Sequence, residues 1–385
     1  MRIFHALGSF AYRFRWPVLF FWAVLLVGSA FFAPDLSSRL KGGGFENKEA
    51  EAEKVQDILY EDFDASPATL TVVFEGDGGM LARSDEFREA EDLALEEVRN
   101  LDEVSDVTTY AETEDPLFVS EDGTKSYAVV SFDVSIEETQ GVVDEVRERV
   151  RSDDLATYVT GAPAVYLDIT EASNEDIKRA EKYAFPLALV ILLIAFGSLV
   201  AAGVPVVIGG ASVAVTLSSL YFVAGVYDMS VFVLTISTML GLGLGIDYAL
   251  FAVSRFREEL VNHSVSEAVP RTVETAGRSI FFSGTAVLIG LMGLLFFPYM
   301  FMRSIGVAGV VVVFFSVSAA LTLLPAVLSV LGHSINALFL RRRRDMARPF
   351  ASGFWHRSAQ AVMRHPFVVI VAVGAVLFAL LYPAL

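Results

Sequence analysis

Asp247 and Tyr248 stand side by side in an apolar stretch, residues 229–255, of a 385-residue chain. An acid in such a stretch costs a few kcal/mol on insertion scales, so membrane helices rarely keep one without a partner and a use. At about 1.5 Å per residue, Asp247 lies roughly 12 Å in from Arg255, well inside a hydrocarbon layer. A carboxyl that can take up and release a proton there, with a phenol beside it, suits proton coupling. The plainer alternatives are an acid neutralised by a structural hydrogen bond and, for Tyr248, simple packing. Successive helix residues point about 100° apart, so each of the two is expected to face a group on another helix. Ser283 and Thr285, in the apolar stretch after Arg278, could feed a water chain to Asp247. Such hydroxyls more often bond back to their own helix.

Three glycines precede the pair: Gly241, Gly243 and Gly245. Gly241 and Gly245 form a G-x-x-x-G pair that lets another helix approach closely, and all three are candidates for helix packing. A dinucleotide loop would follow a strand and open a helix in a soluble unit; these glycines sit mid-span. The five histidines, His5, His263, His333, His356 and His365, show no metal-ligand spacing, and no G-x-S-x-G elbow is present. The chain is therefore expected to be no enzyme and to need no metal or other cofactor, the proton being its coupling ion.

The elements that must hold these residues are membrane spans. The chain is 54% hydrophobic, above the usual range for soluble domains. The formal net charge of -17 is unevenly placed: residues 35–182 carry 39 acidic and 14 basic side chains. That surface would repel nucleic acid, and no basic stripe offers a nucleic-acid site. There is no cysteine, hence no disulfide or thiolate chemistry.

Residues 1–34 read as a basic N-terminus and a first span; a cleaved signal peptide is the alternative. Residues 35–182 read as a separate domain. Lys41 and the three glycines that follow it, Gly42–Gly44, are expected as a flexible joint, and a helix is expected over 46–60. Then come a strand (69–75), helix (84–101), strand (104–110), strand (125–134), helix (137–151) and strand (155–160). The order β-α-β-β-α-β is the ferredoxin-like pattern. A helix from 165 leads into the next span. Further spans fall at 184–200, 203–226, 229–254, 279–297, 304–331 and 366–385, each near or above the roughly 20 residues a bilayer needs. The expected fold is thus a polytopic α-helical membrane protein of about seven spans with an extracytoplasmic α+β porter-like domain. Its parts are 1–34, 35–182, 183–331 with a loop at 255–278, a basic segment at 332–365, and 366–385. That loop carries four arginines and the basic segment seven, so the positive-inside rule puts both, and the N-terminus, in the cytoplasm. Arg303 is the one basic residue on the wrong side. Ser264 and Glu267 form a capping box for a short cytoplasmic helix ending near Gly277, which Pro270 could distort. Arg341–Arg344 and Arg348 anchor topology or meet anionic lipid.

The run over residues 241–260, Gly-Leu-Gly-Leu-Gly-Ile-Asp-Tyr-Ala-Leu-Phe-Ala-Val-Ser-Arg-Phe-Arg-Glu-Glu-Leu, resembles the fourth-helix signature of the MMPL (mycobacterial membrane protein large) transporters. These belong to the resistance–nodulation–division superfamily. Thr-Ala-Gly-Arg-Ser-Ile-Phe-Phe-Ser at 275–283 resembles the start of their fifth helix. One helix, an external domain and five more helices match their first repeat. The resemblance implies a multi-pass protein of the cytoplasmic membrane that uses protons to export lipids or other hydrophobic or amphiphilic molecules. It also implies that an Asp-Tyr pair, matched here by Asp247 and Tyr248, faces a second pair on the corresponding helix of a second repeat. Such transporters carry two repeats related by an axis along the membrane normal. The expected partners are therefore membrane lipids, an amphiphilic substrate, and either a second MMPL-type repeat of a longer protein or another copy of the chain. In a two-fold dimer Asp247 of one copy would meet Tyr248 of the other. Two readings remain beside transport: a protein-export helper resembling the SecD/SecF subunits, and a non-transporting lipid-binding or sensing module.

Overall fold

The computed structural model describes residues 2–44, 50–63, 65–76, 79–338 and 360–381. Arg341–Arg344, Arg348 and His356 lie outside the described residues. Two helices open the chain, α1 (Arg2–Arg13) and α2 (Arg15–Phe32), with Phe14 between them at φ -105° and ψ 28°. The break turns α1 aside, so that Gly8 presses on a later helix: a Cβ there would lie 2.6 Å from Cα of Pro270.

The acidic part builds its own core. Its elements are α3 (Glu51–Phe63), β1 (Ala68–Gly76), α4 (Asp85–Arg99), β2 (Val104–Thr108), α5 (Tyr110–Thr113), β3 (Lys125–Phe132), α6 (Ile136–Thr139), α7 (Val143–Arg149) and β4 (Leu155–Thr160). The strands order as β2-β3-β1-β4, every neighbouring pair antiparallel. Alternation sets the faces: Leu70, Val72 and Phe74 of β1 and Ala128, Val130 and Phe132 of β3 are all buried. Phe87, Leu95 and Val98 of α4 and Val143 and Val146 of α7 cover them. Ser84 caps α4, its Oγ accepting from the Phe87 N–H at 3.3 Å. The single helix expected over 137–151 is instead two. The capping box of Ser135 and Glu138 fixes the first turn, and Gly141, a poor helix former, interrupts before α7.

The expected flexible joint is a bonded strap. Lys41 N–H donates to Met229 O (2.8 Å) and Val231 N–H to Lys41 O (3.1 Å). Gly42 O accepts from Gln140 Nε2 (2.9 Å), Gly43 O from Ser230 Oγ (3.2 Å), and Gly44 O from Phe301 N–H (3.1 Å). Three glycines are needed here for fit. Gly44 has φ +85°, and a Cβ on Gly42 would lie 2.3 Å from Gln140 Oε1.

From β4 the chain enters α8 (Ala162–Phe196), a continuous helix of 35 residues that Gly197 ends with φ 64°. Next come α9 (Leu199–Ala224), α10 (Phe232–Glu259) and α11 (Val265–Thr272). The short helix expected to end near Gly277 does not end there. A widened turn, Val273–Gly277, carries it into α12 (Arg278–Met292). Gly277 keeps helical dihedrals and serves as a contact point, with a Cβ position 3.0 Å from both Leu321 and Val273. The last elements are α13 (Met300–Ser318), α14 (Leu324–Leu331), joined by a second wide turn, and α15 (Pro366–Leu381). Among the described residues five helices are long and apolar enough to cross a membrane: Arg15–Phe32, Leu199–Ala224, Phe232–Glu259, Val265–Phe296 and Met300–Asn336. Two of the seven expected spans fall short of that measure. The apolar end of α8 runs only from Tyr183 to Phe196, and α15 has 16 described residues, 382–385 lying outside the described residues.

Candidate functional site around Asp247

Helix α10 has a closed face and an open one. On the closed face Gly245 lies against Gly209 of α9, where a Cβ would come within 2.5 Å of the Gly209 Cα. One turn earlier a Cβ on Gly241 would meet Val213 at 2.7 Å. The G-x-x-x-G pair thus brings α9 backbone to backbone with α10. Gly243 does not share this role: nothing lies within 4 Å of its Cβ position. Two steps of about 100° carry it from Gly241 to the far side of the helix.

That far side is a stripe of exposed residues, Met239, Gly243, Asp247, Phe251 and Ser254. Asp247 sits in the middle of it. Among the described residues its carboxylate has no hydrogen-bond or ion-pair partner. An apolar hollow of about 370 Å³ opens beside the stripe between α8 and α10, lined by Ile177, Phe185, Met239, Leu242, Gly243 and Ile246.

Tyr248 turns the other way and is buried, 7% exposed. Its phenol reaches α12, where a Cβ on Gly284 would lie 3.5 Å from Tyr248 Oη. The Oη is buried without a well-aligned hydrogen bond, and the hydroxyl that interacts with it is that of Ser283. Thr285 is spent on its own helix, donating to Phe281 O at 2.8 Å. The structure therefore brings Tyr248 and Ser283 together. It leaves Asp247 facing away from both, as the 100° step requires.

Below the stripe, α10 carries a charged end. Arg255 pairs with Glu258 (2.9 Å) and Glu259, and His263 Nδ1 lies 3.1 Å from Glu259 Oε2. Arg257 donates through Nη1 to Phe196 O (2.9 Å) and through Nε to Asn336 Oδ1 (2.8 Å), tying down the end of α8.

A second acid escaped the sequence reading. Glu91 of α4 is 2% exposed, and Ser126 Oγ donates to its Oε1 at 3.1 Å. Burial, with Asp92 nearby, pushes its carboxyl up to about 7; the Ser126 bond and the charges of Arg99 and Arg88 pull the other way. The signal was there to be read: Glu91 falls between Phe87 and Leu95 at the i, i+4 spacing of the core-facing stripe. Among the described residues no group of three His, Asp or Glu could hold a metal ion.

The sequence model of the MMPL family matches residues 44–369. The chain belongs to the MMPL family. It is 32% identical over 399 aligned residues to the mycolic acid-containing lipids exporter MmpL11 of Mycolicibacterium smegmatis, covering 98% of this chain and 40% of that protein. It is 30% identical over 289 residues to the trehalose monomycolate exporter MmpL3 of Mycobacterium tuberculosis, covering 67% and 31%. This MMPL chain thus spans no more than two-fifths of the length of these relatives. Among solved structures, the crystal structure of SecDF in its super-membrane-facing form aligns with 82% of the chain and 38% of its own, at TM-score 0.41 and 14% identity.

Proposed function

We propose that this chain is one repeat of a proton-driven exporter of lipids or other hydrophobic or amphiphilic molecules, with Asp247 as its proton carrier. The observation that carries this reading is the placement of Asp247: an acid without a partner among the described residues, mid-helix, on the open face of α10. A lone carboxylate facing lipid is costly and rare, which favours placing the stripe against another protein surface, a second MMPL-type repeat or another copy of the chain. The names of the relatives, exporters of lipids, support the substrate class, and so does the apolar hollow beside the stripe.

The chain lies in the cytoplasmic membrane with its N-terminus and the Arg255 end of α10 inside and the sheet domain outside. The strand order β2-β3-β1-β4 supports a ferredoxin-like porter domain. The end of α8 and α15 complete seven spans. Protonation removes the charge of Asp247 and with it the bonds that its covering surface makes to the carboxylate, so α10 shifts. Tyr248 and Ser283, back to back with it, hold the α10–α12 contact through which the shift is felt. Release to the cytoplasm restores the charge. Each proton delivers about 2.3 kcal/mol per 100 mV, plus the pH difference. No enzyme chemistry and no cofactor enter. Asp247→Asn, reconstituted with its covering partner, is expected to abolish gradient-dependent lipid export with an unchanged melting temperature. Undiminished export by that variant overturns the proposal.

A further inference from the structure

The strap between the first membrane helix and the sheet domain makes bonds beyond those a passive tether needs. Its four residues, Lys41–Gly44, bind three different parts of the molecule. Lys41 exchanges two backbone hydrogen bonds with Met229 and Val231, the residues directly before α10. Gly43 accepts from Ser230 Oγ, and Ser230 N–H in turn donates to Ser304 Oγ of α13 at 3.0 Å. Gly44 is bonded to Phe301 of α13. Gly42 is bonded into the sheet domain, accepting from the side chain of Gln140, which stands between α6 and α7.

These bonds form one route. Asp247 lies 15 residues into α10 from Phe232, about 22 Å along the axis. The helix is continuous over that length, and the residues just before its outer end are hydrogen-bonded to Lys41. Lys41 adjoins Gly42, and Gly42 is held by Gln140 across 98 residues of sequence. The fit is tight, since any Cβ on Gly42 would collide with the Gln140 amide at 2.3 Å. The other described link between the two parts, α8, is covalent; it packs on β1 and also touches α10, the two helices lining the apolar hollow of about 370 Å³.

We infer that the strap is the transmission element of the protein, and that Gln140 is the positioning residue through which a displacement of α10 reaches the sheet domain. The inference rests on the transport reading above, in which the charge state of Asp247 moves α10. A shift of an element by about 1–2 Å is enough to be passed on through a bonded chain of this kind. Gln140 touches no proton and no cargo; it sets where α6 and α7 sit for each position of α10.

The test is hydrogen–deuterium exchange of the full chain with its covering partner in lipid nanodiscs, comparing Asp247 with the permanently neutral Asp247→Asn. Each is measured with Gln140 intact, with Gln140→Ala, and with Gln140→Glu, which keeps the size and loses the donor. With Gln140 intact, Asp247→Asn changes exchange in residues 229–233 and in residues 136–149. In both Gln140 variants the change at 229–233 persists and the change at 136–149 is lost. Unaltered protection of β3, residues 125–132, reports that the sheet domain is still folded. A change at 136–149 that survives in both Gln140 variants overturns the inference and leaves the transport reading standing. No change at 229–233 on neutralising Asp247 overturns the transport reading, and the inference with it.

Discussion

Helices α4 and α10 each hold an acid in line with apolar residues, Glu91 and Asp247, and they place it on opposite sides. On α4 the acid, Glu91, points into the packed face, where Ser126 bonds it and the sheet seals it. On α10 the packed face carries Gly241 and Gly245 at its closest approach to α9, and Asp247 points away from it onto an exposed stripe. A sealed acid is accommodated by its own fold, by taking one hydrogen bond and giving up its charge easily. An open acid in a membrane helix is not accommodated by the elements described here, so what answers it must come from outside them. The comparison separates a structural carboxyl from a working one by direction, although both residues are costly in the same way.

The largest effect expected from breaking this contrast lies in the two glycine faces of α10. Gly245→Ala drives a methyl group into the Gly209 backbone. It is expected to destabilise the α9–α10 pair by about 1–3 kcal/mol or more. Gly243→Ala meets open space and is expected to be neutral or to gain up to about 1 kcal/mol of helix propensity. Thermal unfolding of the two variants in the same lipid reads the difference; equal losses would mean that α10 has no open face.

Next in size is the pH dependence of the sheet domain. Because folding raises the Glu91 pKa from 4.5 to about 7, the folded domain binds the proton more tightly than the unfolded chain. The stability that Glu91 contributes is therefore fullest below about 4.5 and falls as pH rises towards 7, by up to about 3 kcal/mol, levelling off above that. Glu91→Gln is expected to lose this slope. Exchange protection of β1 and β3 against pH would show it, and a slope unchanged in the variant would mean that Glu91 is not the sealed acid described.

Smaller is the effect of Arg257→Ala, which removes the donors to Phe196 O and Asn336. About 1–3 kcal/mol is expected, read as faster exchange at the end of α8. Smallest is Asp228→Asn. Its pair with Lys41 (3.0 Å) is exposed on both sides, and less than about 0.5 kcal/mol is expected, within error in a melting experiment.

What the sequence made legible was local. Strand periodicity placed β4 at residues 155–160, where the structure has it, and placed β1 and β3 to within two residues at each end. The capping box at Ser264 and the close-packing pair Gly241 and Gly245 follow from neighbours three or four residues apart. The 100° step sent Tyr248 to a group on another helix, Ser283 of α12, as expected, whereas Asp247 faces no such group among the described residues. What stayed illegible depends on groups far apart in the chain. The strap over residues 41–44 read as flexible because three glycines are flexible in isolation; their partners lie 98 and 187 residues away. Gly277 read as a helix end because nothing nearby announces that Leu321 fills its open side. Gly243 was grouped with its neighbours by type, when its angle on the helix already set it with Asp247.

The account turns on Asp247 as the group that carries the proton. The most direct measurement is proton entry into proteoliposomes under an imposed gradient, with the purified protein and its covering partner, wild type against Asp247→Asn. The account predicts protein-dependent proton flux in the wild type and none above the lipid background in the variant. Equal flux in the two would contradict it.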